Sequence, residues 1–119
     1  MAFPGTYNFN YYRGDTFKFI VRPRDASGDP FPLTGYTANF TIASRRGPNT
    51  VGNLVTRYTG TAVVNTVDGI VTCTITPSVG RNLTTDKTWV YDVQIDNTVE
   101  IYTLLNGDIT VKDDITGAA

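Results

Sequence analysis

Apolar and polar side chains alternate along much of this chain, and a two-residue period of that kind leaves little room for anything but β-strand. It is clearest where Tyr36, Ala38, Phe40 and Ile42 are separated by Thr37, Asn39 and Thr41. Successive side chains of an extended backbone point to opposite faces, so this run predicts a strand with one face in a core and one in solvent. Trp89, Tyr91, Val93 and Ile95 repeat the pattern against Asp92 and Gln94, with Val90 the only apolar residue on the outward phase. That strand is expected to lie centrally. Further strands are expected at 7–12, 16–22, 61–65, 70–76, 100–105 and 108–112, each bounded by clusters of Gly, Pro, Asn and Asp. The fold class is all-β, an antiparallel sandwich of seven or eight strands.

Turn chemistry supplies the connections. Asp68-Gly69 predicts a hairpin between 61–65 and 70–76, and Asp96-Asn97-Thr98 predicts another between the Trp89 strand and 100–105. Asp25-Ala26-Ser27-Gly28-Asp29-Pro30 predicts a turn, followed by an irregular passage from Phe31 to Gly35. One short helical turn is expected after Thr76, which can cap it, with Pro77 at the first helical position and Gly80 limiting its length. Residues 44–53 carry no periodic signal and are expected to form a surface loop.

A chain of 119 residues suits one core, so 1–119 is expected to form a single domain, with 1–6 and 113–119 as extended terminal arms. Hydrophobic residues make up 40% and charged residues only 18%, which suits a core of strands and turns rather than salt-bridged helices. Ten basic and eleven acidic residues give a net charge of −1, so no overall field draws the chain to nucleic acid. The first residues lack the basic head and apolar run of a signal peptide, and no segment approaches a membrane span, so neither membrane nor export is expected.

Catalytic chemistry is poorly supplied. The chain has no His, which removes Ser-His-Asp and Cys-His nucleophiles and His-containing zinc sites. Cys73 is the only cysteine and falls on an apolar strand phase, predicting a small buried residue. Asp92 lacks an evident carboxylate partner, and Asp25, Ser27 and Asp29 lack the terminal Glu of a calcium loop. Arg13-Gly14-Asp15 is read as a turn. No enzyme activity, cofactor or metal is expected.

Candidate interface residues are more plentiful. Tyr7, Phe9, Tyr11 and Tyr12 place four aromatics in six residues, with Tyr12 on the opposite face from the other three. Two readings stand side by side: a strand packed over the chain's own core, or a segment that docks on a neighbour and leaves residues 1–10 loosely held in the isolated chain. Arg22 and Arg24, with Arg45 and Arg46, form small basic clusters that suit phosphate or an acidic partner surface, although without a net positive field such arginines are more often simply solvated; Arg45 and Arg46 are kept as candidate interface residues. Asp113 and Asp114 form an acidic pair suited to a partner's basic residues.

Gly14-Asp15-Thr16-Phe17, the turn at 25–30, Leu33-Thr34-Gly35-Tyr36-Thr37-Ala38 and Trp89-Val90-Tyr91-Asp92-Val93-Gln94-Ile95 follow one another in an order that resembles a tailed-phage structural family. The family is typified by the N-terminal domain of phage baseplate upper proteins. Tyr102 to Val111 and the Asp114-Ile115-Thr116 ending extend the resemblance, which covers about residue 7 to 116. It implies an immunoglobulin-like sandwich that serves as a tail, baseplate or fibre-attachment adaptor, made in the bacterial host cytoplasm and incorporated in the virion. The partners it implies are other phage structural proteins and copies of the chain itself. Baseplate upper proteins continue into receptor-binding segments that these residues do not include, which keeps a capsid decoration or neck protein as an alternative. A carbohydrate-binding module, taking a host glycan on exposed aromatics, is a second alternative.

Overall fold

The chain is represented by a computed structural model, which describes residues 4–52, 54–113 and 115. Its elements run β1 (Gly5–Thr6), β2 (Phe9–Tyr12), β3 (Phe17–Val21), β4 (Thr37–Ala43), β5 (Arg57–Thr59), β6 (Thr61–Asn65), β7 (Ile70–Ile75), α1 (Pro77–Gly80), β8 (Thr88–Asp96) and β9 (Ile101–Lys112). The strands form two sheets. The larger has the order β1-β9-β8-β4-β5, with β2 also paired to β9, and the smaller has the order β3-β7-β6.

The strongest alternations produce the middle of the larger sheet. β8 pairs antiparallel with β4 along Thr37 to Ala43 and with β9 on its other side, so it is central, as its pattern predicts. Phe40 faces Val93 and Ile42 faces Tyr91 across that pairing, and all four are buried. The smaller sheet contributes Val71, Cys73 and Ile75 from β7, each fully buried. Phe19 of β3 bridges the layers, with its ring 5.4 Å from Phe40 and 5.8 Å from Tyr91. Burial raises the Cys73 thiol to about 12, leaving it protonated and unreactive near neutrality. Trp89 is buried as well, and its indole N–H donates to the Thr84 carbonyl at 3.0 Å, which satisfies the one polar atom a buried indole brings.

Both hairpins form where the turn residues predict them: β6 with β7 and β8 with β9. The turn at 25–30 forms too, with the Asp25 carboxylate accepting from the Ser27 and Asp29 amides. Thr76 caps α1 by accepting from the Val79 amide, and Pro77 opens the helix. Arg13-Gly14-Asp15 is a turn, with Gly14 at φ 91° and the Asp15 amide donating to the Tyr12 carbonyl.

Two expectations are corrected. The fold is not wholly antiparallel, because β1 and β2 lie parallel to β9. The chain leaves β2 into the smaller sheet instead of folding back, so no hairpin ties the first strands to their partner. The two strands expected at 100–105 and 108–112 are one, β9, since Gly107 continues the strand rather than ending it. β5 was not expected. Its three residues are too few to display a period, and Gly60 directly after it carries the chain across to the smaller sheet. A Cβ at Gly60 would sit 2.4 Å from the Phe40 ring, so only glycine permits that crossing.

Candidate interaction surfaces

The aromatic N-terminal segment divides by strand phase. Phe9 and Tyr11 point into the core, opposite Ile109 and Val111 of β9, and Tyr11 is only 1% exposed. The Phe9 ring stacks on Phe17 at 4.5 Å, and the Tyr11 hydroxyl donates to the Asp15 carbonyl at 2.7 Å. These two candidate interface residues therefore belong to the chain's own core, because the inward phase of an edge strand over an aromatic cluster offers them complete burial. The loosely held segment is corrected with them for residues 5–10, which are tied to β9 by β1, β2 and the bond between them. That bond runs from the Tyr7 amide to the Asn106 carbonyl. Tyr7 and Tyr12 remain open to solvent, at 44% and 52% exposure.

Gly107 explains the path of that segment. A Cβ there would lie 2.0 Å from the Tyr7 carbonyl oxygen, so the N-terminal backbone presses closest to β9 where there is no side chain. The Tyr91 hydroxyl reaches the same carbonyl and donates to it at 2.5 Å, while the Asn8 side chain accepts from the Asp108 amide. Burial lifts the Tyr91 hydroxyl well above the usual phenol range, which fixes it as a donor.

Arg45 and Arg46 meet Arg57 around a small pocket of about 190 Å³ on the outer face of the larger sheet, over Thr41, Val90 and Asp92. The loop is partly held by its own cations: Arg45 donates to the Arg46 and Pro48 carbonyls, and Arg57 donates to the Gly47 carbonyl. Arg46 is exposed. Partial burial raises the Asp92 carboxyl above its ordinary value, and Arg46 opposes that shift. Three guanidinium groups around one carboxylate suit a small acidic group from outside. Sequence reasoning missed Arg57 because it stands on β5, the strand with no visible period.

A larger opening of about 470 Å³ lies between the edges of the two sheets, bounded by Gly5 and Tyr7, the Phe19-to-Arg24 stretch, and Leu104 and Leu105. Its floor is apolar and its rim carries Arg22 and Arg24, both exposed. A register shift in the β8–β9 ladder falls beside it, between Val93 and Gln94. The shift leaves Leu104 without an opposite residue on β8, between Leu105 facing Val93 and Thr103 facing Gln94.

Asp113 follows β9 and is exposed, whereas Asp114 lies outside the described residues. Asp113 stands directly after β9 and does not line the pocket that holds Arg45 and Arg46, which sit above β4 and β5. Among the described residues no group of three His, Cys, Asp or Glu side chains is placed to hold a metal, and no helix is long and apolar enough to cross a membrane. No protein-family model matches the chain, and no curated protein sequence matches it.

Proposed function

We propose that the chain is a non-enzymatic structural protein of a tailed-phage virion, a tail, baseplate or fibre-attachment adaptor that works through contacts with other virion proteins and with copies of itself. In this reading the two sheets form an immunoglobulin-like sandwich. The observation that carries the proposal is the combination of open strand edges with exposed apolar side chains beside them. β3 and β6 bound the smaller sheet, and β5 and the β1–β2 pair bound the larger. Ile20 on β3 and Val63 on β6 stand either side of Thr72 on one face, each at least half exposed. Unpaired edges accept a neighbour's strand, and apolar side chains beside them supply the burial that makes such contacts last. The ordered motifs resembling baseplate upper proteins give the assembly its setting.

The glycan-binding reading has weaker support, since Tyr7 and Tyr12 project from opposite faces of the N-terminal segment and do not form a flat row. Electron microscopy of phage particles carrying a labelled copy of the chain tests the proposal. Density for the label at the tail or baseplate is expected. Label on the head or neck would favour a decoration or neck protein, and a chain absent from purified particles would overturn the virion reading.

A further inference from the structure

We infer that the cleft between β1, β3 and β9 receives the segment Asp113–Ile115 of a second copy, with Ile115 on its apolar floor and the acidic pair against Arg22 and Arg24. The cleft and the segment match in chemistry. The floor is formed by Phe19, Val21, Leu104 and Leu105, and two arginines stand on the rim. Asp113, Asp114 and Ile115 place two carboxylates directly before one apolar side chain, and Ile115 is 98% exposed in the isolated chain. An aliphatic side chain left so open, next to charges, gains most from a pocket lined in the same way.

Reach decides between the chain's own cleft and another's. Leu105 and Lys112 are both on β9, and at a rise of about 3.4 Å per residue they stand about 24 Å apart. Ile115 lies three residues beyond Lys112, and even full extension carries it only about 11 Å. Ile115 therefore cannot fill the cleft of its own chain, while nothing in that geometry prevents it from entering a neighbour's. Phe3, two residues before Gly5 in the sequence, is a competing apolar candidate, but residues 1–3 carry no acidic side chain for Arg22 and Arg24. The edge of β3 beside the cleft can pair with an incoming extended backbone, adding main-chain hydrogen bonds to the side-chain fit. A contact that joins different surfaces of identical chains is head-to-tail, and it builds a ring or a filament.

This contact rests on the assembly reading only for the setting in which copies meet, and it can be measured apart from any particle. A fluorescent peptide of residues 112–119 is titrated with the purified full chain and followed by anisotropy. Saturable binding is expected. Ile115→Asp in the peptide should weaken it by about tenfold or more. Arg22→Glu with Arg24→Glu in the protein should also weaken it, without changing the melting temperature, because both positions are exposed. Pairing that protein with a peptide carrying Asp113→Lys and Asp114→Lys should restore binding. Absence of saturable binding at millimolar protein, or indifference to these changes, overturns the inference. So does a cleft that takes a peptide of residues 1–6 in preference to 112–119. None of these results moves the label in a particle, and a chain that binds its own tail yet never enters particles overturns the virion reading alone.

Discussion

Gly107 and Tyr91 hold the N-terminal backbone between them, one by lacking a side chain and the other by supplying a hydroxyl to the Tyr7 carbonyl. Gly107→Ala should cost about 2–3 kcal/mol, because the new methyl group must push the β1–β2 junction off β9. Tyr91→Phe should cost about 1 kcal/mol, the worth of one hydrogen bond. Chemical denaturation of both variants checks the ranking, and equal losses would mean that Tyr7 is not held as described. Asp92 behaves in the opposite sense. Burial raises its folded-state pKa, so the stability it contributes is present below the unfolded value near 4 and lost as pH rises through the folded value. Asp92→Asn should therefore raise the melting temperature at neutral pH and lose that advantage by about pH 3. A substitution that lowers stability at neutral pH would show that the attraction of Arg46 outweighs desolvation.

At the scale of elements, legibility followed the length of the alternation. β4 and β8 repeat their period long enough to declare both strand and buried face, and the hairpins announce themselves through Asp68-Gly69 and Asp96-Asn97. β5 is three residues long and Arg57 is hidden with it, so the basic pocket was only partly visible. The parallel pairing of β2 with β9 leaves no local trace, since the partners are joined by almost the whole chain. The four aromatics of residues 7–12 drew attention correctly, but burial by their own chain and burial by a neighbour look alike in sequence. Burial of Phe9 and Tyr11 sets the expected result of truncation. Deleting residues 1–4 should leave melting nearly unchanged, whereas deleting 1–12 removes Phe9 and Tyr11 and should cost at least about 5 kcal/mol, enough to unfold a domain of ordinary stability. Circular dichroism of the two truncations would separate these outcomes, and a folded 13–119 chain would contradict the core role of β2.

Across the whole molecule, the core draws on both sheets, with Phe19, Phe40, Tyr91 and Phe9 forming one aromatic cluster that links β2, β3, β4 and β8. The strands at its margins carry open edges that a solitary protein must protect, and in the proposed assembly those same edges are the means of joining. The parallel seat of β1 and β2 on β9 also sets an order of events during synthesis. The first strands to leave the ribosome have no partner until the last strand has been made, so Tyr7, Phe9 and Tyr11 wait in the open through almost the whole of translation. Pairings so distant in sequence form slowly and leave apolar surface exposed meanwhile. Stalled nascent chains should accordingly remain cleavable by chymotrypsin within residues 7–12 until β9 has emerged, and become resistant in one step once it has.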